Sequence, residues 1–312
     1  MFDVTCLGIL VADVISKVVD ELPDRGKLLP IEQISMHTGG CAANSAIDLA
    51  KIGLKPALIG KVGKDGFGEF LKTSLESVGV DAQGLIVKEG LNTSSSVVLS
   101  AGNGERTFLH CFGSNADFKY EDINFDIIRN SKILFVAGTN LMAKFDGVPC
   151  GQVLKKAKEM GVYTALDTAW DASGRWMEIV EPCLPYLDLF IPSYDEARMI
   201  AGKDEPEEIA DVFLSKGVKL AVIKLGKDGC FIKNHDGEKY TIPTYSQIQA
   251  VDTTGAGDSF VAGFLSGIIK GWDINKCGKF ANAVGTHCVM EVGASTGIKS
   301  LEEILEFMSK NA

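Results

Sequence analysis

The chain has 312 residues, with 31 Lys+Arg against 41 Asp+Glu, so its formal net charge is −10. The acidic balance argues against nucleic acid as a partner, because phosphate backbones are bound by clustered Lys/Arg. It leaves phosphorylated metabolites open, since backbone amides bind them without net positive charge. No run reaches 18 uninterrupted apolar residues, so no membrane span is predicted. The 34 glycines are roughly 11% of the chain, against a usual ~7%. Glycine collects where backbone turns with positive φ or comes close to a ligand.

The start, Met1-Phe2-Asp3-Val4, lacks the basic and apolar regions of a secretion signal. The 8 cysteines are scattered, with no Cys-x-x-Cys pair, and most sit in apolar stretches. They are expected to be reduced core residues of a cytoplasmic protein, not a disulfide or zinc framework.

The elements predicted in chain order begin with a strand at Phe2–Leu7 and a partly polar β run at Val14–Val19. A helix at Ala42–Ile52, a strand at Ala57–Lys61 and a helix at Gly66–Val78 follow, the two helices stopped by Gly53 and Gly79. Ser94–Ser100 and Glu105–Phe112 flank Asn103-Gly104, a hairpin pattern. Next come a helix at Tyr120–Arg129, a strand at Ile133–Ala137, a helix at Gly151–Met160 and strands at Tyr163–Asp167 and Leu187–Ile191. Helices at Ser193–Ala201 and Pro206–Lys216, a strand at Leu220–Leu225 and a helix at Asp258–Lys270 complete the series. Strands alternating with helices imply an α/β core around a mostly parallel sheet. The pieces at 12–37 and 92–113 do not fit that core and are expected to form a small antiparallel lid sheet. No repeat or linker divides the chain, which reads as one domain over 1–312.

Two glycine-rich stretches carry the chemistry. In Val251-Asp252-Thr253-Thr254-Gly255-Ala256-Gly257-Asp258-Ser259-Phe260 a small-residue turn opens a helix. N–H groups at a helix N-terminus converge on one point, where the macrodipole favours an anion. An anion hole beside a carboxylate suits phosphoryl transfer: amides stabilise the moving group while Asp258 takes a hydroxyl proton. A helix cap on a tight connection is the plainer reading of the same residues. The second stretch is Thr38-Gly39-Gly40-Cys41-Ala42-Ala43-Asn44, with Gly60–Gly68 after it. Asn44 and Asp48 share a helix face and could hydrogen-bond a polyol; a packed helix with solvated polar residues fits equally. Neither stretch is a Walker A loop.

The segments Gly39–Gly68 and Asp252–Phe260, their order and separation, Gly8-x-x-x-x-Asp13, and Leu225-Gly226-Lys227-Asp228-Gly229 together resemble the ribokinase-like, or PfkB, carbohydrate kinase family over nearly the whole chain. The resemblance implies a three-layer α/β kinase core with a β-sheet lid, ATP as phosphoryl donor and Mg²⁺ as its partner. By motif position it implies Asp258 as catalytic base, with Gly255, Ala256 and Gly257 supplying the anion hole. Asp13, Gly39, Gly40 and Asn44 would line the sugar site, and Arg106, after the hairpin turn, could reach over it from the lid. Lys224, Gly226, Gly229, Asn282 and Ser193 would border the nucleotide. Glu196 would bear on Mg²⁺, directly or through water, and Asp252 and Thr254 match positions that hold a monovalent cation such as K⁺ in some members.

Two departures stand out. Ser193 replaces the amide of the family's usual Asn-x-x-Glu, and Asp167-Thr168-Ala169-Trp170-Asp171 lacks the Asp-x-Asn-x-Arg of several fructose and sugar-acid kinases. His37 could approach substrate or be structural, His287 reads as core, and Lys64 and Lys227 read as solvated. The expected function is an ATP-dependent kinase acting on a hydroxyl of a small sugar. A nucleoside kinase of the same fold, or a binding relative without turnover, are the alternatives. A homodimer covering an exposed lid edge is expected.

Overall fold

Apolar residues along the strands point alternately into two cores, as expected for a sheet covered on both faces. The computed structural model describes residues 1–102, 105–245 and 247–311. Its strands are β1 Phe2–Gly8, β2 Val11–Lys17, β3 Gln33–Gly39, β4 Pro56–Gly63, β5 Asp81–Lys88, β6 Ser95–Ser100, β7 Arg106–Cys111, β8 Ser131–Thr139, β9 Tyr163–Thr168, β10 Leu189–Phe190, β11 Leu220–Lys224, β12 Cys230–Asn234 and β13 Lys239–Ile242. Among the described residues, nine of them form one sheet in the order β13-β12-β11-β10-β9-β8-β1-β4-β5. It is parallel from β11 to β5 and antiparallel only at the β11-β12-β13 edge.

Val4, Cys6, Leu58 and Phe135 pack on one face with the helices Cys41–Ile52, Gly66–Ser77, Ala256–Ile269, Ile274–Val289 and Leu301–Lys310. Leu7, Ile59, Leu134 and Phe190 pack on the other, against Val148–Glu159, Tyr194–Ala201 and Pro206–Ser215. This is the expected three-layer α/β core. Helix Cys41–Ile52 ends as predicted at Gly53, which takes φ 105° and donates to Ala50 and Leu49. The predicted helix at Tyr120–Arg129 is instead a 3₁₀ turn at Tyr120–Asp122 and a short helix at Phe125–Arg129. Asn124 breaks it by capping the second piece, its Oδ1 accepting Asp126 N–H at 3.0 Å.

The remaining strands form the small sheet β3-β2-β6-β7. It is mixed, not wholly antiparallel as predicted: β2–β3 and β6–β7 are antiparallel but β2–β6 is parallel. Between β3 and β6 the chain travels through β4 and β5 of the main sheet, so it re-enters the small sheet in its original direction. The Asn103-Gly104 turn that joins β6 to β7, and the Arg106 side chain, lie outside the described residues.

The small residues of helix Ala256–Ile269 serve close packing, as their spacing suggested. A Cβ on Gly263 would lie 2.8 Å from Ala281 Cα, and one on Gly267 would lie 2.6 Å from Cys277 Sγ. Both neighbours belong to helix Ile274–Val289, whose backbone therefore sits against the helix that begins at Asp258. Gly263→Val should destabilise the protein by about 1–3 kcal/mol, the usual penalty for overpacking, seen as a lower urea midpoint at unchanged slope. An unchanged midpoint would show that the two helices have slack there.

Candidate active site

Helix Ala256–Ile269 starts from Gly255, which takes φ 77°. A side chain on Gly255 would also lie 2.5 Å from the Ala294 carbonyl oxygen, so this glycine serves the turn. Gly257 differs: a Cβ there would meet only Lys224, with Nζ 3.5 Å away. Ala256 N–H is spent on Thr253 O at 3.3 Å. The next N–H groups, of Gly257 and Asp258, have no partner within a helix by its geometry and face the open side of the turn.

Asp258 is gripped by helix Cys41–Ile52. Asn44 Nδ2 donates to Asp258 Oδ2 at 2.8 Å, and Ser45 Oγ donates to the Asp258 carbonyl at 3.2 Å. The Cys41 thiol bears on the same carboxyl and helps to lower its pKa. Cys41, Asn44 and Ser45 lie at i, i+3 and i+4, one face of one helix. Burial raises the Asp258 carboxyl above its ordinary value, while Asn44, the Lys224 charge and Cys41 oppose the rise. A raised but ionisable carboxylate is what a proton acceptor needs. Asp48, expected beside Asn44 toward a polyol, is instead fully buried and accepts Ser259 Oγ at 2.6 Å.

Lys224 closes the other side. It ends β11, pairs with Asp167 of β9 at 2.5 Å, and is only 11% exposed. Burial alone would lower its pKa, but Asp167, Glu196 and Asp258 more than offset this and hold the ammonium charged. Glu196, in the first turn of helix Tyr194–Ala201, accepts Thr168 Oγ1 at 3.0 Å and Ser193 N–H at 3.3 Å. Ser193 bridges to Lys224 across the sheet end. Lys224 and Asp167 from the main sheet thus meet Glu196 and Asp258 from two helices at the C-terminal ends of the parallel strands, the usual ligand edge of such sheets.

Asp13 lies on β2 of the small sheet, and a Cβ on Gly39 would fall 2.1 Å from its Oδ2. Gly40 takes φ 92° and caps helix Cys41–Ile52, so Asp13, the glycine pair and Asn44 come together as the sequence suggested. Burial raises the Asp13 carboxyl, opposed by a hydrogen bond from Ser96 and by His110 and His37. His37 Nε2 meets Ser35 Oγ at 2.8 Å and His110 Nδ1 meets Ser96 Oγ at 3.0 Å.

Other expected residues act mainly as braces. Asn282 donates through Nδ2 to the carbonyls of Ile242 and Pro243 at 3.1 and 3.2 Å. Gly229 is explained by packing, since a Cβ there would lie 2.0 Å from Ile242 O, whereas Gly226 faces open space. Asp252 Oδ1 accepts Thr254 N–H at 3.0 Å and its Oδ2 accepts Gly293 N–H at 2.9 Å. Thr254 O and Ala294 O both accept the Cys288 thiol, at 3.3 and 3.2 Å. Each of these oxygens keeps a second lone pair, so the loop stays a candidate for a monovalent cation. The chemistry of the site also suits Mg²⁺. Among the described residues no three His, Cys, Asp or Glu gather as a metal cage, and Mg²⁺ is usually held by one or two carboxylates, waters and substrate phosphates.

Sequence reasoning missed Cys41, Ser96, His110 and the Asp167 partner of Lys224. Asp167 had a signal: it is the one charge in the apolar run Tyr163–Asp167.

A family model described as pfkB family carbohydrate kinase matches residues 1–301. A sugar kinase of Archaeoglobus fulgidus, itself uncharacterized, is 31% identical over 250 residues, covering 80% of this chain and 97% of that one. Two solved structures share the fold throughout. An Escherichia coli protein provisionally called ribokinase II, in complex with ATP and Mg²⁺, has a TM-score of 0.86 at 21% identity and covers 99% of this chain and 100% of its own. Arabidopsis thaliana ribokinase with ribose and ATP has a TM-score of 0.86 at 24% identity, over 98% of each chain. With the family model spanning the small sheet, the glycine pair and the helix of Asp258, the chain belongs to the pfkB family of carbohydrate kinases.

Proposed function

We propose that the protein transfers the terminal phosphoryl group of ATP to a hydroxyl of a small sugar, with Asp258 as the base. The observation that carries this reading is the 2.8 Å hydrogen bond from Asn44 to Asp258. It joins the two glycine motifs, 214 residues apart in sequence, at the one carboxylate that also faces an anion hole. Asp13, Gly39, Gly40 and Asn44 form the sugar side, and Asn44 Oδ1, buried with no hydrogen-bond partner in the protein, is left to accept from a sugar hydroxyl.

The chemistry follows from placement. A hydroxyl held between Asn44 and Asp258 gives its proton to Asp258 as its oxygen attacks phosphorus. Charge on the transferring group is met by Gly257 and Asp258 N–H, the helix dipole and the Lys224 ammonium. Lys224, Gly226, Ser193 and the backbone held by Asn282 border the ATP. Mg²⁺, when bound, neutralises phosphate charge, and Glu196 is the carboxylate placed to hold it through water. The Arabidopsis ribokinase complex with ribose and ATP and the Escherichia coli complex with ATP and Mg²⁺ support this set of ligands. Arg106 stays a candidate for reaching the sugar from the lid.

The outer face of the lid supports a homodimer. Pairing register puts Met36, Val14, Val97 and Leu109 in one row and Ile34 and Leu99 in the next. Ile34 and Leu109 are 67% and 63% exposed, and β3 and β7 are open edges of this sheet. A second copy laid face to face would cover both.

Asp258→Asn should lower kcat by at least about 10²-fold while isothermal titration still detects ATP binding; near wild-type turnover would refute the base assignment. Because Asp258 must be ionised and burial raises its pKa, kcat should rise with pH through a value above the ordinary carboxylate range, then level off. ATP consumption assayed over a panel of sugars, sugar acids and nucleosides should respond to at least one sugar, and a response to nucleosides alone would reassign the acceptor. Light scattering should give a dimer that Leu109→Glu converts to monomer, and a monomeric wild type would count against the lid interface.

A further inference from the structure

The face of helix Cys41–Ile52 that holds Asp258 continues one turn further, to a second acid that the phosphoryl-transfer scheme does not use. Cys41, Asn44, Ser45 and Asp48 fall at i, i+3, i+4 and i+7, a single stripe. Their partners are consecutive residues: Asn44 and Ser45 hold Asp258, and Asp48 Oδ2 accepts Ser259 Oγ at 2.6 Å. Asp48 is fully buried. Ser295 lies on its other side, where its hydroxyl bears on the carboxyl, and Asp48 Oδ1 and Ser295 Oγ are otherwise buried without a partner. The hydroxyl can donate to an ionised oxygen or accept from a protonated one, and burial favours the protonated form.

We infer that Asp48 is a positioning residue for the base: through Ser259 it fixes the first helical turn that carries Asp258. The inference rests on Asp258 being the base. Four titratable or charged groups face Asp48. They are Lys51 on its own helix, Asp258 on helix Ala256–Ile269, Cys6 on β1 and Cys288 on helix Ile274–Val289. Burial pushes both thiols up, so they stay neutral near pH 7. Burial also pushes the Asp48 carboxyl up to about 7, opposed by Ser259, Ser295 and Lys51 and reinforced by Asp258. Ionised Asp258 thus raises the proton affinity of Asp48 by like-charge repulsion and keeps it protonated while the base ionises.

Asp48→Asn keeps an acceptor for Ser259 and removes the charge. Because Asp48 is protonated where Asp258 ionises, the acid limb of the Asp48→Asn kcat–pH profile should stay in place, with the KM for ATP unchanged, whereas Asp48→Ala, which drops the tether to Ser259, should lower kcat about 10-fold. Ser259→Ala removes the tether from the other side and should lower kcat about 10-fold through misplacement alone, and adding it to Asp48→Ala should cost little more. A second readout needs no turnover. A carboxyl whose pKa is raised by folding contributes stability below its unfolded value, lost as pH rises through its folded value. The Tm of Asp48→Asn relative to wild type should therefore climb from about pH 4 to about pH 7 and level off above it. A Tm difference constant with pH, or kcat losses of Ser259→Ala and Asp48→Ala that simply add, would overturn the inference alone if Asp258→Asn is inactive. Turnover retained by Asp258→Asn would overturn the base assignment and this inference with it.

Discussion

A carboxylate held at the N-terminus of a helix, partly out of water and against a second helix, is the constraint around which this protein is arranged. Asp258 must be low enough in dielectric to want a proton and yet close enough to donors to stay in place. Helix Ala256–Ile269 supplies the dipole and the N–H groups, but it cannot set its own height against the sheet. Helix Cys41–Ile52 does that, through Asn44 and Ser45 on Asp258 and Asp48 on Ser259. The close contact with helix Ile274–Val289 at Gly263 and Gly267 holds the same helix from the opposite side.

The cation in the site answers to the same arrangement. Lys224 is nearly buried and would lose its proton to desolvation if it stood alone. Asp167, Glu196 and Asp258 keep it charged, and its ammonium reaches the glycine turn because Gly257 has no side chain in the way. In the proposed reaction the carboxylates would do two things: one would take a proton, while the others hold a charge that would meet phosphate. A chain with a net charge of −10 can therefore keep one charged ammonium beside a turn of helix N–H groups without a basic surface, which is compatible with an anionic ligand.

The alternation of apolar strands and amphipathic helices made the layered core legible, because burial on both faces leaves a continuous apolar run wherever a parallel strand lies. The lid was legible as pieces but not in its pairing. Whether β2 meets β6 parallel or antiparallel depends on the path of the intervening chain, which no local pattern encodes. β12 and β13 went unseen for the same kind of reason: as an antiparallel edge they mix Lys and Asn with apolar residues and lack the continuous run. Asp258 and Asn44 could be found because each sits in a motif with its glycines. Cys41, His110 and Asp167 come into place only through tertiary contact, and Asp48 was misjudged because sharing a helix face with Asn44 says nothing of how deep each residue lies.

The glycines separate into two kinds that the sequence cannot tell apart. Gly229 and Gly255 have no side chain because a neighbouring carbonyl occupies the space, Ile242 O in one case and Ala294 O in the other. Gly226 faces open space, and Gly257 has nothing near it but the end of a flexible lysine. A Cβ at the first pair would displace backbone, so those positions are fixed by folding. At Gly257 the protein itself leaves room for a methyl group, so packing does not demand glycine there, as the proposed approach of a ligand to the helix N–H groups would. The composition excess is thus part architecture and part binding surface, and only the second part points to phosphate.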